Sequence, residues 1–326
     1  MMSTLTPEQE QRALEVHQSA IVIDGLNASI LDEEYFEKMQ SGGVSATNYT
    51  VAMGHNLSET VKRIADLYRL IERSQRAVLI ESVADIRRAK EQAKTGILIG
   101  FQNVPPLEGN LGLLPVYHRL GVRIIQFSYH FKNICGDGCM EPSNSGLSLF
   151  GHQLVESMND QGMVIDLAHV GERTVLDTIE ASQHPVIASH SNAFGRVPVP
   201  QNKKDATIKA LSAKGGVIAI TGFPRLLEPD PTIELLLDHV DHVVQLVGVD
   251  HVGFGMDFAE GWTDSPSHRK KLIEIDGRIY DWPTGISTVS EFPNLTRGLV
   301  MRGYSDEEIA KILGGNFLRV FEEVFH

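Results

Sequence analysis

Two apolar runs in this chain each end in a histidine. Met163-Val-Ile-Asp-Leu167 leads through Ala168 to His169, and Pro185-Val-Ile-Ala-Ser189 leads to His190. Between them, Gly171-Glu-Arg-Thr-Val-Leu-Asp-Thr-Ile-Glu180 carries apolar residues at helical spacing, so the whole reads as a β-α-β unit. In parallel α/β architectures the carboxyl ends of the strands face the site. Two neutral imidazoles then meet where a zinc ion or a polarised water can sit. A later apolar run, His251-Val-Gly-Phe-Gly255, ends near Asp257. A carboxylate there can take the proton of an attacking water, or complete a zinc site with the two histidines.

The elements that position these residues alternate along the chain. Thr6-Pro7 starts a helix with a cap and a first-turn proline. Strands are expected at Ala20–Asp24, Ala46–Ala52, Gly96–Phe101, Val122–Phe127, the two runs above, Gly216–Thr221 and His251–Gly255. Helices are expected at Ser58–Ser74, Val83–Lys94, Leu111–Leu120, Phe150–Asn159, Asp205–Ala213 and Ile233–Val247. A last helix starts from the capping box Ser305-Asp-Glu-Glu308. Continuous apolar strands with helices between them predict a parallel sheet covered on both faces. Eight in this length favour a closed (β/α)₈ barrel over an open sheet. No Gly-x-Gly-x-x-Gly follows an early strand, which weakens a dinucleotide-binding reading. The chain 1–326 reads as one barrel domain, with a polar surface insertion from about 261 to 293 near the mouth.

Composition narrows the partners. A formal net charge of −13 argues against nucleic acid or an anionic membrane. No run of about twenty apolar residues is present, and the chain opens on polar residues rather than a basic, then apolar, leader. Only Cys135 and Cys139 occur, which rules out a cysteine-only zinc site and argues against a disulfide framework. A cytoplasmic location is expected. Cys135-x₃-Cys139 reads as loop packing rather than a redox pair. His239 and His242 read as solvated or interface positions, and His251 as lying on the face opposite the site.

With the strands aligned, their ends present Leu26, Asn27 and Ala28; Gln102 and Asn103; Tyr129 and His130; His169; His190; and Asp257. Several segments resemble the membrane (renal) dipeptidase family, metallopeptidase family M19. They are Gly162-Met-Val-Ile-Asp-Leu-Ala-His169-Val, Pro185-Val-Ile-Ala-Ser-His190-Ser, Leu246 through Phe258, Gly136-Asp-Gly-Cys139 with Gly146 to His152, and Gly314-Gly-Asn-Phe-Leu-Arg-Val-Phe321. The resemblance runs from about Ile21 to Phe325. It implies a barrel hydrolase that cleaves dipeptides or related small amides at a two-zinc centre, commonly as a homodimer. It also implies that His169 and His190 bind the second zinc, and that Asp257 handles the proton of the attacking water.

The sequence departs from that pattern at several places. The family's His-x-Asp pair after the first strand is Leu26 and Ala28 here, and neither can ligate a metal. The bridging glutamate is Gln102, a neutral amide. Tyr129 takes the place of a substrate-contacting histidine, with His130 beside it. An arginine that engages the substrate carboxylate is Gln201, before Asn202. Bridging two dications needs anionic ligands, so two zinc ions are not expected: the site should hold one or none. A one-metal hydrolase is the first expectation. A metal-free relative that binds a small molecule or partner without turnover is the alternative. A further ligand from His130, His55 or Glu260 is the third.

Overall fold

The computed structural model describes residues 5–227, 230–262 and 281–325. Nine parallel strands form its sheet: β1 (Ile23–Asn27), β2 (Ala46–Ala52), β3 (Ala77–Leu79), β4 (Thr95–Phe101), β5 (Val122–Gln126), β6 (Val164–Asp166), β7 (Ile187–Ala188), β8 (Val217–Ile220) and β9 (Val252–Phe254). The order runs β2-β1-β9-β8-β7-β6-β5-β4-β3, and β2 also pairs with β4. That second pairing, from Ala46↔Gly96 to Ala52↔Phe101, closes an eight-strand barrel. β3 pairs only with Thr95–Ile97 at the start of β4, leaving the end of β4 to β5. The expected (β/α)₈ barrel is therefore the fold.

Both faces of the strands are buried, as their unbroken apolar runs require. Ile23, Ala46, Leu98, Ile124, Val164, Ile187 and Val217 share one core with Phe317 and Phe321 of the last helix, Asn316–Val324. Val22, Ile97, Ile99, Ile125, Ile165, Ile218 and Ile220 pack into the second core with residues of the surrounding helices. The alternation in β4 and β8 follows the two-residue period of a strand.

The caps at Thr6 and Ser305 both form complete capping boxes. The first strand lies three residues later than expected. The helices Glu33–Ser41 and Pro293–Met301 and the strand β3 were not foreseen. The expected surface insertion needs a correction where it can be seen. Residues 263–280 lie outside the described residues, but Ile286, Val289 and Phe292 are fully buried, and Trp282 packs on Phe258. This end of the segment belongs to the core, because its apolar residues outweigh the polar ones that suggested a surface loop.

Candidate active site

The two histidines leave the carboxyl ends of neighbouring strands, as expected, and they touch. Their Nε2 atoms lie 2.7 Å apart, and both residues are buried. A chain of partners sets which nitrogen carries each proton. The Arg225 guanidinium donates to Gln201 Oε1, since it can only donate. The amide nitrogen of Gln201 therefore faces His169 Nδ1, 2.9 Å away, which must accept. His169 then carries its proton on Nε2 and donates to His190 Nε2. His190 in turn is protonated on Nδ1, which faces Ser189 Oγ at 2.7 Å, and the serine hydroxyl donates to Asp166 at 2.5 Å. These tautomers are assigned from the network.

Electrostatics agrees with two neutral rings. Burial holds His190 down to about 3, with further lowering from Lys203 and His130. Burial also lowers His169 well below the ordinary range, helped by its histidine neighbours. The carboxylates go the other way. Burial pushes Asp24 up to about 7, although it accepts from Met256 N at 2.8 Å. Asp257 rises well above the usual range through burial and the nearby Asp24. Asp257 sits just past β9 with φ +60°, a conformation in which a non-glycine residue is strained. Gly255 brings that strand end against His190's: a Cβ there would stand 1.7 Å from Ser189 O.

Other expected positions resolve individually. Leu26 is buried within β1, and its carbonyl accepts from Asp257 N. Ala28 makes only a backbone bond, to Phe258 O. Gln102 is buried, and its Nε2 has no hydrogen-bond partner among the described residues. Tyr129 and His130 both pack against the His169 ring, with centroids 4.4 and 4.5 Å from it. Gln201 belongs to the histidine network. Asn202 does not face a ligand: its amide is consumed by Val197 O, Leu226 O and the Asn192 N–H, so it pins the loop. Of the three proposed reserve ligands only His130 reaches the pair's surroundings. Glu260 is held by Lys38 and Thr288, and His55 Nδ1 faces Met53 N.

Five contributors were not foreseen. Asp166 and Ser189 orient His190. Arg225, on the short helix Pro224–Leu227, brings a guanidinium to Gln201. Lys203 is buried with its ammonium on Val170 O, and burial lowers it to about 8. Cys139 lies with its Sγ 3.9 Å from His130 Nδ1. A strand-end Asp followed by Ser at the next strand's end was a usable signal for the first pair. Arg225 lies beyond an unremarkable turn and had none. His239 also needs correction: it is buried and its Nδ1 accepts from Ala193 N, rather than being solvated. His251 bonds Gly216 O at the start of β8, on the far face as expected.

Residues 10–326 match the family model of the membrane dipeptidases, peptidase family M19. The chain belongs to this family. It is 33% identical to dipeptidase tcpJ of Claviceps purpurea over 85% of its length, and 32% identical to dipeptidase verJ of Clonostachys rogersoniana over 84%. It spans 63% and 67% of those two proteins. An amidohydrolase structure from Pseudomonas aeruginosa superposes with a TM-score of 0.91 at 38% identity, covering 96% of this chain and 99% of that one.

The family's two-metal centre does not fit these residues. Leu26 and Ala28 offer no ligating side chain at the first strand, and Gln102 brings a neutral amide where a bridging anion is needed. The second histidine pair is intact, and His190 has the carboxylate-backed orientation that metal-ligating histidines commonly show. A single ion fits.

Proposed function

We propose that the chain is a dipeptidase-like hydrolase with a one-metal site, acting on a small peptide or related amide. The observation that carries this reading is the contact of His169 with His190 at the mouth of a dipeptidase-family barrel, with Asp257 just past β9 at the same end of the barrel. A bound zinc ion would supply Lewis acidity toward an amide carbonyl. His169 and His190 would hold it, the latter kept in register by Ser189 and Asp166. Asp257 would take and return the proton that hydrolysis moves, a task suited to a carboxyl group held well above its ordinary range. Tyr129 would wall the site on one side.

The loss of an arginine at Gln201 does not leave the site without a cation. Arg225 reaches the same amide from the next βα segment and would pair with the substrate's terminal carboxylate, an interaction for which a guanidinium is well shaped. Free cysteines suit a reducing, cytoplasmic setting, and no helix among the described residues is long and apolar enough to cross a membrane. A homodimer remains part of the proposal on the family resemblance.

The test is a panel of dipeptides, acyl-amino acids and lactones, assayed with added zinc, manganese or cobalt. Chelator-sensitive turnover abolished by His169→Ala supports the reading. Silence across the panel, together with saturable binding, would favour the metal-free binder, which the network locking His169 already suits.

A further inference from the structure

We propose that His130, Cys139 and His169 hold the single ion of this chain, through a cysteine thiolate. The inference rests on the one-metal reading above and names a ligand set for it. Among the described residues, one ligand atom from each of the three lies within 4.8 Å of the others. Tetrahedral zinc with bonds of about 2.1 Å to nitrogen and 2.3 Å to sulfur needs nitrogen–sulfur separations of about 3.6 Å. Cys139 Sγ and His130 Nδ1 stand at 3.9 Å, so a small adjustment closes the site. The His169–His190 separation of 2.7 Å is shorter than the roughly 3.4 Å between two nitrogens on one tetrahedral ion. His190 must therefore move to bind alongside His169, and it or water takes the fourth position.

The backbone is built to deliver the thiol. Cys139 N donates to His169 O, and Met140 N donates to His130 O, both at 2.8 Å. The same loop is tied to the strand-end region by the Gly138↔Val170 bridge. Gly138 lets it approach: a Cβ there would lie 2.3 Å from the carbonyl carbon and oxygen of His130. His130 has φ +63°, which turns it out of extended backbone at this point. Non-glycine residues held there are strained, and such strain gathers at functional sites. Asp137, fully buried, fixes the loop from below through Ser143, Ser145 and Lys132.

The chemistry is coherent with what the site lacks. The family's anionic ligands at Ala28 and Gln102 are gone, and a thiolate replaces one unit of negative charge. On binding, the Cys139 S–H proton passes to solvent and a metal–sulfur bond forms. His169 moves its proton to Nδ1, and the Gln201 oxygen, with two lone pairs, swings to accept from it while still accepting from Arg225. A thiolate with imidazoles selects zinc-like ions over magnesium or calcium.

Cobalt(II) added to the metal-stripped full chain tests this. One cobalt per chain with a thiolate-to-cobalt charge-transfer band in the near ultraviolet is expected. The band should vanish in Cys139→Ser and persist in Cys135→Ala, with folding checked by circular dichroism. As an arm needing no variant, zinc should protect Cys139 of the wild-type chain from alkylation, mapped by peptide mass. One bound cobalt without the band, or a band that survives Cys139→Ser, or an unchanged alkylation rate, would overturn thiolate ligation and leave the one-metal reading standing. No cobalt bound at all would overturn both.

Discussion

His169 and His190 stand with their Nε2 atoms 2.7 Å apart, one donating to the other. Both rings must be neutral for this bond to exist, because a proton on His190 Nε2 would set two donors against each other. The relation depends on Arg225 and Gln201 at one end and on Ser189 and Asp166 at the other. Changing any of these four should alter what the pair can bind.

The first consequence concerns pH. In the unfolded chain His190 takes a proton near pH 6.5, whereas burial keeps it neutral in the fold down to about 3. Between those values the unfolded state binds more protons, so this group's contribution to stability is lost as pH falls below about 6.5. The wild-type chain should therefore lose stability relative to His190→Gln on acidification from about pH 7 to about pH 4. Buried Asp24, raised to about 7, works in the opposite sense, but it is present in both proteins and cancels. Urea midpoints at each pH measure the difference, and a gap independent of pH would contradict the assignment.

Gln201→Glu should tighten zinc binding by about 10- to 100-fold, the usual scale for a partner behind a metal-ligating histidine. A carboxylate can accept from both Arg225 and His169 Nδ1–H, which frees His169 Nε2 for the ion. Competition against a chromophoric chelator reads this directly. Unchanged affinity would mean that Gln201 does not set the tautomer.

Asp257→Asn should leave zinc affinity near wild type and cut turnover by about 10²–10⁴-fold, the share of a positioned proton acceptor. Titration and steady-state kinetics on one preparation separate the two effects. A variant with full turnover would remove Asp257 from the mechanism.

Arg225→Gln should raise KM for a dipeptide by about tenfold or more with little change in kcat, as expected when binding common to ground and transition states is lost. The same change should matter far less for a substrate lacking the terminal carboxylate. Equal effects on both would show that Arg225 serves only Gln201.

Much of this was legible beforehand, for identifiable reasons. The barrel followed from apolar runs whose two faces are both buried, and His169, His190 and Asp257 followed from standing at the ends of those runs. The first strand slipped by three residues because Ala20-Ile-Val-Ile is as apolar as Ile23–Asn27, and only pairing with β2 and β9 chooses between them. The segment 281–293 looked polar on average, yet Ile286, Val289 and Phe292 carry its packing. Arg225 and Cys139 were hidden because they reach the site through tertiary approach, past short turns and glycine-permitted loops that no periodicity marks. Asn202 was misjudged for a related reason: an amide near a site serves backbone as readily as ligand.

Metal content per chain, by elemental analysis of protein purified mildly and then incubated with excess zinc and desalted, tests the central claim most directly. One zinc per chain is the predicted result, retained in wild type and lost in His169→Ala. Two tightly held ions, or none, would contradict a one-metal site at His169.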